Sequence, residues 1–217
     1  VIWICFGMGL CVIANAGTSF LVAFFKNLGI TLTQGDVAKP NSIFECILDI
    51  IGIAIVPAIC EEFAMRCCAL GLLKNYGKAF GVVSVSVVFG LLHGNVIQFI
   101  FAFLVGLVLA YITIKTESII PAMCIHALNN GMSAVSDTVN YAAGKEVNVT
   151  VGFFAFWLLV GIIATIYLAI KHKLTIPKDD GNCVLTLGEK VSSFFFPGMI
   201  LPFIVLIIMT AQTVKIG

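Results

Sequence analysis

Cys60-Glu61-Glu62-Phe63-Ala64-Met65-Arg66 lies inside an apolar run that extends from Ile43 to Leu73. The run is long enough for a membrane helix, yet it holds two adjacent carboxylates and the only arginine of the chain. An ionisable group in hydrocarbon costs at least a few kcal/mol, so such groups face the bundle interior and pair, or they do chemistry. A structural ion pair between helices is the plain alternative for this stretch taken alone.

The rest of the chain has the same character. Of 217 residues, 60% are hydrophobic and 11% charged, against about 25% charged in a soluble domain. The expected fold is all-α: one polytopic membrane-embedded domain over 1–217, with about seven transmembrane helices. Roughly 20 apolar residues cross a bilayer, and the candidate spans are 2–25, 43–73, 79–93, 95–114, 119–137, 150–170 and 193–211. The 171–192 loop is the longest and most polar, with a turn signature in Pro177, Asp179, Asp180 and Gly181. A net charge of +1 offers no basic field for nucleic acid. The eight cysteines are scattered and mostly in apolar runs, so they read as small apolar residues and not as a disulfide framework. The first residue is Val, so the numbering is expected to begin after a trimmed or missing segment. Val1–Phe25 is long and has no basic n-region before it, so it is not expected to be a signal peptide.

Lysine asymmetry sets the expected orientation. If spans alternate, Lys74, Lys78, Lys115, Lys171, Lys173, Lys178 and Lys190 share one side, against Lys26, Lys39, Lys145 and Lys215 on the other. The first side is then cytoplasmic, with the N-terminus inside, in a cell membrane. Gly77/Gly81 and Gly90/Gly94 have the small-xxx-small spacing of close helix contacts. Asn148-Val149-Thr150 is a formal glycosylation sequon, short enough to arise by chance.

Polar residues recur in two more spans. The third ends in Phe89-Gly90-Leu91-Leu92-His93, and the fifth carries His126-Ala127-Leu128-Asn129-Asn130. At about 1.5 Å per residue, Glu61 lies roughly 20 Å, His93 roughly 22 Å, and His126 and Asn130 roughly 13 to 20 Å from the lysine-rich face. Unrelated polar groups have no reason to share a depth, so three helices are expected to build one site. Glu62 and Arg66, four apart, can pair on one face. Glu61 lies about 100° around the helix without that partner, and a free carboxylate in a poorly solvated site suits a general base. His93 is its natural partner in holding a water, with Phe89 packed against the ring. His126 and Asn130, also four apart, offer N–H donors for an oxyanion. Singly, each has a plainer role: a hydrogen-bonded core histidine, a helix-bridging asparagine, one Phe among 18.

These motifs resemble those of the CPBP family, the CAAX proteases and bacteriocin-processing enzymes also called the Abi family. The family pattern is EExxxR, FxxxH and HxxxN on separate membrane helices. It is matched here by Glu61 to Arg66, Phe89 to His93 and His126 to Asn130 over a core of 43–138. The resemblance implies an intramembrane glutamate-type endopeptidase. Glu61 and His93 would activate water, His126 and Asn130 would form the oxyanion site, and Glu62 and Arg66 would support them. Its substrate would be a lipidated (CAAX-type) protein, a bacteriocin or other peptide precursor, or a membrane-anchored regulator. No cofactor is expected. Two histidines and a glutamate are also a zinc ligand set, but neither HExxH nor HxxEH occurs. Two other functions use the same residues: a non-catalytic bacteriocin immunity or binding protein, and a proton-coupled transporter. The transporter lacks any evident pair of similar halves.

Overall fold

The apolar runs form helices wherever capping and breaker residues allow. Ser42 caps the helix that carries the Glu61 stretch: its hydroxyl accepts from Glu45 N at 3.2 Å, while Glu45 Oε2 accepts from Asn41 N, just before the cap, at 2.6 Å. Asn95 caps the helix after His93, its Oδ1 accepting from Gln98 N at 2.8 Å. The structure, a computed structural model, describes residues 1–33, 38–176, 178–179, 185–193 and 197–216.

In chain order the elements are α1 (Ile2–Asn27), β1 (Ile30–Leu32), α2 (Ile43–Tyr76), α3 (Lys78–Leu91), α4 (Val96–Thr116), α5 (Ile120–Ala143), α6 (Thr150–Ile170), α7 (Leu187–Ser193), α8 (Pro197–Ala211) and β2 (Val214–Ile216). The all-α membrane bundle is therefore present, with one small departure. β1 and β2 pair antiparallel, Ile30 opposite Ile216, and tie the first loop to the end of the described chain.

Seven full crossings are not what length and composition give. Among the described residues only α1, α2, α4 and α6 are long and apolar enough to cross a membrane. α3, at 14 residues, and α8, at 15, fall short of the roughly 20 that span a bilayer. α5 is long but polar, carrying His126, Asn129, Asn130, Asp137 and Asn140, and it runs on through 137–143, where a loop was expected. Of the expected turn, Pro177, Asp180 and Gly181 lie outside the described residues.

Loop contacts sort the connections into two ends. At one end Lys78 N donates to Asp179 Oδ1 (2.6 Å), and Tyr111 and Lys115 reach Thr175. At the other, Lys39 pairs with Glu146 (3.2 Å), β1 with β2, and Thr213 Oγ1 accepts from Val96 N. This is the grouping that alternating spans require.

The core lies between α1, α4, α5 and α6, where Met8, Cys11, Leu109, Ile112, Ile125 and Leu168 are almost completely buried. α2 stands at the edge, with Ile51, Ile55, Ile59 and Phe63 exposed, a face suited to lipid tails. Gly77, at φ 128°, forms the break between α2 and α3, a conformation that disfavours any side chain.

The closest helix approach is not at the expected glycine pairs. Gly81 meets the end of α2 and Gly90 meets Phe99, while Gly77 and Gly94 lie in turns. The tightest backbone-to-backbone contact among the described glycines joins α1 and α6: a Cβ on Gly9 would stand 2.7 Å from Gly161 Cα, and one on Gly161 would stand 2.5 Å from Gly9 Cα. Backbone cannot yield locally, so Gly161→Ala is expected to destabilise by about 1–3 kcal/mol. Gly152→Ala, in open space on the same helix, is expected to be neutral or slightly stabilising. Thermal unfolding of the two variants in lipid nanodiscs checks the contrast.

Candidate active site

The site is assembled on a distorted helix. Within α2, Ile50–Ile55 and Phe63–Ala69 are wound as π-helix, a winding often found at functional sites. Pro57 follows the first of these segments and has no N–H to give the carbonyl four residues back, that of Ile53. The Ile53 oxygen instead accepts from Asn130 Nδ2 of α5 at 3.2 Å. The second π segment begins just after Glu62 and contains Arg66.

The two glutamates have different surroundings. Glu62 is fully buried. Its Oε2 lies 3.1 Å from Arg66 Nε, and its Oε1 lies 2.8 Å from His126 Nδ1. The Arg66 contact is an ion pair without hydrogen-bond geometry, and the guanidinium lies 4.5 Å above the Phe89 ring, a cation–π contact. Arg66 Nη1 and Nη2 have no hydrogen-bond partner among the described residues. Glu61 has a side chain 43% exposed, and its Oε2 is 3.9 Å from His126 Nε2.

His93 lies in the turn after α3. Its Nδ1 is 2.8 Å from Phe89 O, and a carbonyl can only accept, so Nδ1 carries a proton and, in the neutral ring, Nε2 keeps its lone pair. The edge of one ring meets the face of the other at 5.1 Å between centroids; Phe89 also contacts His126 at 5.9 Å. His93 and Glu61 line one cavity of about 300 Å³ with Cys60, Ala64, Met65, Phe89 and Leu92. A larger cavity of about 830 Å³ lies toward the lysine-rich end, between Arg66, Lys74, Lys78 and Glu117. The smaller one is the candidate site, because it holds a carboxylate and an imidazole together.

On α5, Asn130 Nδ2 also donates to His126 Nε2 at 3.0 Å. With the Ile53 carbonyl fixing the nitrogen side of the Asn130 amide, His126 Nε2 must accept. The His126 proton is then on Nδ1 and is donated to Glu62. The N–H groups expected to face an oxyanion are thus already engaged. Both Asn130 hydrogens go to Ile53 O and His126, and the His126 hydrogen goes to Glu62. That polarity depends on a carbonyl freed by Pro57 on another helix, which residue spacing alone does not reveal.

All seven residues picked from the sequence, Glu61, Glu62, Arg66, Phe89, His93, His126 and Asn130, therefore converge from α2, α3 with its following turn, and α5. Missed were Ile53, Asn129, Asn15 and Cys60. Pro57 was the available sign for Ile53, and a lone polar residue in an apolar span was the sign for Asn15. Zinc held by both histidines and a glutamate is poorly served here, since both His126 nitrogens are engaged. Among the described residues no group of three His, Cys, Asp or Glu could hold a metal ion.

Comparison with known proteins bears on the same segment. No curated protein and no solved structure matches the chain significantly. Residues 43–132 match the model of the family described as "Rce1-like: Type II CAAX prenyl endopeptidase Rce1-like". That range takes in α2, α3, α4 and the first half of α5, with all three motifs. The segment that holds every site residue named from its sequence is thus similar to the Rce1-like CAAX prenyl endopeptidases.

Proposed function

We propose that the protein is an intramembrane endopeptidase of glutamate type, with residues 43–138 as its catalytic core. The observation that carries this reading is the shared cavity of Glu61 and His93: among the described residues the carboxylate has no ion-pair partner closer than 3.9 Å, and the imidazole Nε2 has no hydrogen-bond partner. A water between them gives its proton to Glu61 as its oxygen attacks the peptide carbonyl. Glu61 then passes that proton to the leaving amine, as a general base turned general acid. Nε2 of His93 orients the water. The Asn130 N–H that now meets His126 turns to the developing oxyanion, while His126, its proton held on Nδ1 by Glu62, positions Asn130. Glu62 and Arg66 hold His126 in place.

The substrate is a peptide bond close to the membrane, in a lipidated CAAX-type tail, a peptide precursor or a membrane-anchored regulator. The description of the matching family favours the first. The lysine-rich end is cytoplasmic by the lysine bias, and the cavity of Glu61 and His93 lies at the far end of α3 from Lys78. No metal takes part. A chelator should therefore leave cleavage of a membrane-anchored peptide unchanged; loss of activity to the chelator, restored by zinc, would refute the glutamate–water mechanism.

A further inference from the structure

The hydrogen bonds around His126 do not stop at the motif. Asn129 Nδ2 donates to Asn130 Oδ1 at 3.3 Å, and Asn129 Oδ1 accepts from Asn15 Nδ2 of α1 at 3.5 Å, the long end of hydrogen-bond range. Asn15 Nδ2 also donates to Cys11 O at 3.1 Å. Both ends of this series rest on backbone carbonyls, Cys11 O and Ile53 O, which can only accept. Every amide between them then has one orientation. The donors run in a single sense, from Asn15 to Asn129, to Asn130, to His126, to Glu62. Reversing any one amide would set oxygen against oxygen or N–H against N–H.

We infer that Asn129, braced by Asn15, is a positioning residue: it holds the Asn130 amide so that the His126 proton stays on Nδ1, against Glu62. α1, outside the segment matched by the family model, thereby joins the catalytic unit. The plain alternative is a polar pair that merely bridges α1 and α5. Shape and polarity separate the two. Asn129→Asp keeps the shape but replaces the donor with an oxygen facing Asn130 Oδ1, whereas Asn129→Leu only removes the donor.

The inference uses the proposed function only for its kinetic readout. Its primary test is the imidazole ¹⁵N spectrum of histidine-labelled protein in nanodiscs, where the chain has three histidines. In the parent, His126 should show a protonated Nδ1 and an unprotonated Nε2. In Asn129→Asp it should shift toward Nε2 protonation, and less so in Asn129→Leu, with the His93 and His172 signals unmoved. Peptide cleavage by Asn129→Asp should lose about ten-fold in kcat with KM unchanged, the worth of one directed hydrogen bond. A His126 signal unchanged in Asn129→Asp, or changed only together with His93 and His172, overturns the inference. If the parent cleaves nothing, the proposed function fails while the spectra still decide this point.

Discussion

Glu61→Gln is expected to lower the kcat of peptide cleavage by roughly 10³-fold, within the range of a lost general base. The carboxamide matches the carboxylate in shape but cannot take a proton from water. Stability should be unchanged, because the Glu61 side chain is 43% exposed and its nearest charged contact is 3.9 Å away. His93→Ala should act in the same direction, since it removes the second group lining the 300 Å³ cavity. Measured together, the kinetics and the unfolding temperature of Glu61→Gln distinguish a working group from a structural one. A variant with parental kcat would remove Glu61 from the mechanism.

The second large effect is on stability. Arg66→Leu leaves Glu62 buried with only His126 as a partner. Breaking a buried pair from one side typically costs about 3–5 kcal/mol, because it strands a charge. Removing both partners, as in Glu62→Met with Arg66→Leu, should recover much of that loss. A well-packed apolar replacement is often no less stable than the buried pair. The double variant should still be inactive, since His126 then has nowhere to place its Nδ1 proton. Thermal unfolding of the single and double variants in nanodiscs measures the difference. A single variant as stable as the parent would mean that the pair is not the closed, dry contact described here.

These two effects come from the part of the molecule that its sequence made most legible. Residues four apart on a helix meet, so the sequence alone pairs Glu62 with Arg66 and separates Glu61 from them. Phe89 and His93 follow the same rule, although the bond that fixes the His93 ring goes to the Phe89 carbonyl at the helix end. Depth along the spans was enough to bring three helices together, since rise per residue is nearly constant.

The polarity of the site was harder to read. Whether Asn130 offers its N–H groups to substrate depends on what else accepts them, and the acceptor, Ile53 O, is exposed by Pro57 and the π turn before it. Asn15 lies on a helix 114 residues from its partner Asn129, with no motif to connect them. The count of seven spans is not confirmed, for a related reason. Hydropathy recognises long apolar runs, but α3 and α8 are short and α5 spends its inner face on polar groups. The β1–β2 pair joins segments at opposite ends of the chain, which no local pattern reveals.

The most direct measurement is product mapping. Purified protein in nanodiscs is incubated with membrane-anchored peptides, including prenylated CAAX-type tails, and the products are read by mass spectrometry beside Glu61→Gln at equal folded concentration. A single internal cut near the anchor with the parent, unaffected by chelator and absent with Glu61→Gln, is the result expected. The same cut from Glu61→Gln, or no cut of any anchored peptide by the parent, would contradict a peptidase built on Glu61.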